Sequence, residues 1–230
     1  MLFKFFSVIS LLFFISTANS AGISLNQSRL VFLEKDKSQY VEVRNDTERA
    51  LLVQASILNQ IDGHAVNNFI VTPPLFKVEK NSEFSMRVVP NDISALPRDR
   101  ESIFYFKVRS IPSIDKDIDD KSSLVFVTAF IIKLIYRPAE IPNPTDVLYG
   151  QVNLIKEGGK WSFSNPTPHY MTVVGLQIDG KEIKETFLIE PFKNYPIGLN
   201  VNEPSTVSWY FLNDFGAITK KQTIQRVVKK

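Results

Sequence analysis

The stretch LVFVTAFIIKLIYRP, Leu124 to Pro138, decides how the rest of the chain is read. From Leu124 to Ile132 every residue is apolar or small on both parities, Lys133 interrupts, and apolar residues resume up to Tyr136. Apolar residues on both parities, rich in β-branched and aromatic types, read as a strand covered on both faces. Lys133 then poses a problem, because an isolated buried ammonium costs more than its four-carbon stem gains. No acidic residue lies near it in sequence. Its partner is either a distant carboxylate of the same chain or a group on another molecule.

Working outward, strand-like runs recur between turn signals: QYVEVRN (39–45), ALLVQASIL (50–58), FIVTPP (69–74), EFSMRVVP (83–90) and SIFYFKVRSIP (102–112). In QYVEVRN, Val41 and Val43 alternate with Tyr40, Glu42 and Arg44, the pattern of a strand with one wet face. The adjacent prolines of VTPPLF turn the chain between two strand runs and predict a cis bond at Thr72–Pro73. After YRPAEIPNPTDV the same style restarts. QVNLIK and KWSFSN flank Gly158–Gly159, and VVGLQI and KEIKET flank Asp179–Gly180, both fitting tight hairpins. Pro138, Pro142 and Pro144 read as a short stiff linker. No segment keeps a helical period over three turns. The expected architecture is all-β: two immunoglobulin-like β-sandwich domains, residues 21–140 and 141–230, with barrels as the alternative.

The first twenty residues, MLFKFFSVISLLFFISTANS, carry an early Lys4, an apolar run and small residues at Ala18 and Ser20, the form of a signal peptide cut after Ser20. No second apolar segment of spanning length follows, so the mature chain is expected to be soluble, with no stable membrane insertion. Of the 230 residues, 210 remain after removing 20, enough for two domains of about 100 residues each. The formal charge of +3 falls to +2 without Lys4, and mixed signs along the chain give no nucleic-acid footprint. The absence of cysteine excludes disulfides and thiolate zinc sites.

Little in the sequence suggests catalysis. His64 and His169 lie in different expected domains, without a second histidine or a cysteine at ligand spacing, so no metal site is expected. His64, beside Gly63, reads as a turn residue. No nucleophile elbow, phosphate loop or dinucleotide fingerprint is present, and no cofactor is implied. Asp99 and Glu101 alternate with Arg98 and Arg100, a solvated or internally paired loop rather than an acid–base pair. The oddly placed charges are Arg29, Lys133 and Arg137, and they point to binding.

Four segments then carry a family resemblance: ISLNQSRLVF near the expected mature start, LPRDRESIFYFKVRSIP, KLIYRP, and NPTPHYMTVVGL with LNDFGA in the second half. Together they resemble the periplasmic pilus (fimbrial) chaperones with the PapD-like fold. The resemblance implies two immunoglobulin-like domains set at an angle around a cleft, a non-enzymatic role in the periplasm, pilus subunits as cargo and an outer-membrane usher as recipient. Such chaperones insert their own strand into the open groove of an incomplete subunit. Carried over by motif, Arg29 and Lys133 are expected to anchor the subunit's C-terminal carboxylate, which makes the partner of Lys133 a second chain. Leu124, Phe126 and Thr128 are expected to fill the groove, Thr128 departing from the large aliphatic residue usual there. Glu101, Arg137 and Asp214 are expected to form an interdomain charge network. The short SIDKDIDDK segment resembles the subgroup with a short loop before the donor strand. An exposed apolar edge needs protection, and self-association of the free protein is one route. The competing reading from another class is a structural subunit or adhesin of a surface fibre; a secreted hydrolase is a third.

Overall fold

Val41 and Val43 are fully buried while Tyr40 and Arg44 face solvent, so the period of two in QYVEVRN becomes one face of a sheet. The computed structural model of the protein describes residues 22–112, 127–157, 160–198 and 204–225. The expected signal segment, the SIDKDIDDK loop, Leu124, Phe126 and Gly158–Gly159 lie outside the described residues.

Among the described residues, nine strands build the first sandwich: β1 Ile23–Leu25, β2 Arg29–Leu33, β3 Gln39–Asn45, β4 Leu51–Leu58, β5 Phe69–Thr72, β6 Leu75–Val78, β7 Ser82–Pro90, β8 Ser102–Pro112 and β9 Thr128–Arg137. They form a four-stranded sheet, β1-β3-β7-β5, and a five-stranded sheet, β2-β9-β8-β4-β6. Phe32, Phe69, Phe104 and Tyr136 meet between the sheets, with Phe69 ring centroids 5.1 to 6.1 Å from the other three. Each such ring contributes about 1.5–3 kcal/mol on full burial. The Thr72–Pro73 bond between β5 and β6 is cis, and His64 sits in the turn that closes against Asn59.

A single helical turn, α1 (Asp146–Tyr149), follows the prolines. Sequence periodicity cannot reveal four residues of helix; Tyr149 holds the turn by stacking on Phe211, centroids 5.3 Å apart. The second sandwich contains β10 Asn153–Glu157, β11 Lys160–Asn165, β12 Met171–Ile178, β13 Lys181–Ile183, β14 Phe187–Ile189, β15 Lys193–Ile197, β16 Thr206–Phe211 and β17 Gln222–Gln225. Its sheets run β10-β11-β15 and β13-β12-β16-β17, with β14 also paired to β12. Trp209 and Phe163 meet edge to face at 5.2 Å in its core. Both expected hairpins form. Asp179 and Gly180 have φ of 49° and 80°, as a two-residue turn matched to the strand twist requires.

One repeated device ties the sandwiches together in kind. Asn45 and Asn165, each fully or nearly fully buried, end β3 and β11. Asn45 Oδ1 accepts from Thr47 N and Oγ1, and its Nδ2 donates to the carbonyls of Arg49 and Glu79. Asn165 makes the same set with Thr167, His169 and Glu190. The N-x-T spacing in RNDTER and SNPTPH is thus an internal repeat, in which one amide satisfies several turn groups that no ladder reaches.

β9 corrects one expectation. Its second half, Leu134–Arg137, is buried, but Thr128 and Ala129 are exposed and Phe130–Lys133 are only half-buried. The reason lies in pairing: β2 runs parallel to β9 only from Arg29↔Lys133 to Leu33↔Arg137, whereas β8 accompanies it from Thr128 to Tyr136. Among the described residues, no strand pairs with the other edge of Thr128–Ile132. Thr128–Ile132 is therefore a strand segment with one edge unpaired among the described residues.

Candidate functional site

Parity organises the site. In β9, Phe130, Ile132 and Leu134 pack on the core of the first sandwich. Thr128 shares their face, and Ala129, Ile131 and Lys133 occupy the other. Arg29 opens β2 directly opposite Lys133, so the register sets two cations side by side on adjacent strands, where like charges repel. Burial first, and then Arg29, hold the Lys133 ammonium below the usual lysine range. Burial also lowers Arg29, opposed by the fields of Asp214 and Tyr149. Neither cation forms a salt bridge with a carboxylate among the described residues. Arg29 has an internal partner in the Leu212 carbonyl, to which its Nη1 donates over 3.4 Å. Among the described residues its buried Nε has no hydrogen-bond partner, which leaves the guanidinium short of acceptors.

The three residues Glu101, Arg137 and Asp214 meet at the junction between the sandwiches. Arg137 Nε donates to Glu101 Oε1 at 2.7 Å, and Nη1 and Nη2 donate to the two oxygens of Asp214 at 2.8 Å each. Burial opposes the charge on Arg137, but the hydrogen bonds and fields of the two carboxylates hold its pKa above the ordinary arginine value. The planar fork suits this double recognition.

Sequence reasoning missed three members of this junction. Asn143 Oδ1 accepts from Arg137 Nη1 at 2.8 Å. His169 Nδ1 lies 3.0 Å from Glu101 Oε1, and the Tyr170 amide donates to Glu101 Oε2 at 2.7 Å. An ionised carboxylate only accepts, which places the imidazole proton on Nδ1. The Glu101 amide donates to the Pro168 carbonyl as well. The signal for His169 was its place in NPTPHY, between a turn and a strand, where a buried polar ring requires a partner. Tyr149 flanks the network, and burial, then Asp214, push its phenol up to about 12. Beside this junction, a cleft of about 690 Å³ is lined by Arg29, Arg137, Asn143, Asp214 and Phe215, among others.

Among the described residues no cluster of histidine, cysteine or carboxylate side chains could hold a metal, and no helix is long and apolar enough to cross a membrane. The arrangement offers two under-partnered cations at one end of a half-paired apolar strand, on domains locked by a buried charge network. That is the equipment for binding an anion and an extended segment together.

Comparison with known proteins agrees with this equipment. Residues 22–142 match the family described as pili and flagellar-assembly chaperone, PapD N-terminal domain, and residues 148–223 match the pili assembly chaperone PapD, C-terminal domain. Chaperone protein FimC of Escherichia coli (strain K12) is 32% identical over 203 residues, covering 88% of this chain and 84% of its own. Chaperone protein PapD of Escherichia coli is 35% identical over 214 residues, covering 89% and 87%. Among solved structures, the periplasmic chaperone SfaE superposes with a TM-score of 0.73 at 28% identity, covering 88% of this chain and 98% of its own.

Proposed function

The chain belongs to the PapD family of pilus-assembly chaperones, and from that premise we propose that it captures fimbrial subunits in the periplasm by donor-strand complementation and passes them to an outer-membrane usher, without enzymatic activity. The observation that carries this reading is the half-paired β9: among the described residues no strand pairs with one edge of Thr128–Ile132, while β2 closes only the Lys133–Arg137 half. An unpaired edge with apolar residues is a template for a foreign strand. The donated segment is Leu124, Phe126 and Thr128, which continue the parity of Phe130 and Ile132. Burial of Leu124 and Phe126 in a subunit groove contributes about 1.5–3 kcal/mol each.

Arg29 and Lys133 terminate the donated strand as the anchor for the subunit's C-terminal carboxylate. Each charge-assisted hydrogen bond there is worth about 1.5–3 kcal/mol and also relieves the repulsion between the two cations. The anchor sets register, since a slip of one residue would turn every side chain to the wrong face. Glu101, Arg137 and Asp214 hold the two domains at the angle that frames the cleft.

The test is isolation of the protein from the periplasm of its own host. A one-to-one complex with an incomplete-sandwich subunit is expected, and it should dissociate when Phe126 is replaced by Asp. Recovery of the protein polymerised within a surface fibre would support the structural-subunit reading instead.

A further inference from the structure

The outward face of the five-stranded sheet carries a charge pattern that the carboxylate anchor does not account for. Core residues Phe104, Phe106 and Val108 alternate along β8 with Tyr105, Lys107 and Arg109, so these three share one outward face. The register sets Tyr105 opposite Lys133, Lys107 opposite Ile131 and Arg109 opposite Ala129, and Lys133 opposite Arg29. Four cations therefore lie on one face of three adjacent strands, with Lys107 and Arg109 across β9 from its unpaired edge, about 10 Å or two strand spacings from a strand that adds there. Neighbours one strand or two residues apart are within about 5–8 Å of each other. No carboxylate among the described residues forms a salt bridge with any of the four. Burial first, and then the field of Glu190 in the second domain, raise the Tyr105 phenol on this face.

The opposite sheet supplies an internal control. Its outward face also carries charge, but with alternating sign: Tyr40 opposes Arg87, Glu42 opposes Ser85 and Arg44 opposes Glu83. There Arg44 pairs with Glu83 at 3.6 Å and with Asp46 at 2.7 Å. A sheet face that needs only solubility interleaves its charges in this way. Cations gathered on one face repel one another, and an acidic partner removes that cost.

We infer that Lys107 and Arg109 form a second recognition element beside the donor strand, which selects bound segments carrying acidic side chains. The inference rests on the strand-donation reading and deepens it, naming the chemistry of the partner beyond its terminal carboxylate. The partner is an extended protein segment with Asp or Glu at alternate positions upstream of its C-terminus.

Fluorescence anisotropy of the full mature chain with labelled 15-residue Val/Thr-alternating peptides tests this. Three probes are needed: one with two Glu at alternate outward positions and a free C-terminus, the same peptide with Gln for Glu, and the Glu peptide amidated at its C-terminus. At low salt the Glu peptide should bind about tenfold tighter than the Gln peptide. The ratio should fall to about one in the Lys107→Gln/Arg109→Gln variant or in 0.5 M salt. A Lys181→Gln/Lys184→Gln control, exposed in the second domain and with the same loss of net charge, should keep the tenfold ratio.

An unchanged ratio in Lys107→Gln/Arg109→Gln, or an equal loss in the control, overturns the track. Stronger binding of a single-stranded oligonucleotide than of the Glu peptide overturns it in favour of nucleic acid. If Lys107→Gln/Arg109→Gln lowers the Tm of the free chain and leaves peptide binding unchanged, the cations serve acids of this chain, and the inference fails. The amidated peptide reads the anchor separately: amidation without effect would sink the carboxylate reading while leaving the Glu-to-Gln ratio to judge the track.

Discussion

Glu101 and Asp214 share one guanidinium: Arg137 reaches the first from Nε at 2.7 Å and the second through Nη1 and Nη2 at 2.8 Å. The side chains of Arg137 and Glu101 are 2% and 1% exposed, so their charges are committed to each other and to the junction. Arg137→Ala should destabilise the protein by about 3–5 kcal/mol, because it leaves a buried carboxylate facing only His169 and the Tyr170 amide. Small-angle scattering should then report a broader distribution of domain orientations. Wild-type stability and geometry in the variant would remove Arg137 from this role.

Lys133→Ala and Arg29→Ala should lose subunit capture by about tens- to thousandfold, corresponding to about 2–5 kcal/mol of truncated ion pairing. Among the described residues neither cation forms a salt bridge, so the free Lys133→Ala variant should fold with an unchanged or raised Tm. Co-purification of subunit alongside thermal unfolding checks both halves. Normal capture by Lys133→Ala would end the anchor mechanism.

The same cation pair makes the free chaperone pH-dependent. Lys133 is held below its ordinary pKa by burial and by Arg29, so between its folded-state and unfolded-state values the unfolded chain binds more protons. Stability therefore rises with pH across that window, as the penalty on the ammonium is relieved. Lys133→Met should be more stable than wild type at neutral pH, and the difference should shrink as pH approaches the ordinary lysine value. Parallel urea titrations measure it; a gap that widens with pH would contradict the assignment.

Asn45→Ala and Asn165→Ala should have matching effects in the two sandwiches. Each removes an amide that serves buried turn groups, at about 1–3 kcal/mol per group left unsatisfied. Calorimetry should place both losses well above those of an exposed control such as Asn153→Ala. A neutral Asn165→Ala would show that water replaces the amide.

Much of this protein is legible in its sequence, and the reason is periodicity. Val41 and Val43 in a two-residue rhythm, Asp179–Gly180 between short apolar runs, and the proline cluster after Arg137 are local signals, set by backbone sterics and turn chemistry that neighbouring residues alone determine. The placement of Arg29, Lys133, Glu101, Arg137 and Asp214 came from motif resemblance, because no local rule says which distant charges will meet.

Only the tertiary structure decided the rest. That β2 closes only the Lys133–Arg137 half of β9 depends on where β2 begins, and no property of β9 itself contains it. That His169, Tyr170 and Asn143 complete the junction follows from how two domains meet, since a buried carboxylate takes whatever donors the facing surface presents. The one-signed face of Lys107, Arg109, Lys133 and Arg29 emerges only from cross-strand register. Charge spacing along a chain does not reveal charge spacing across a sheet.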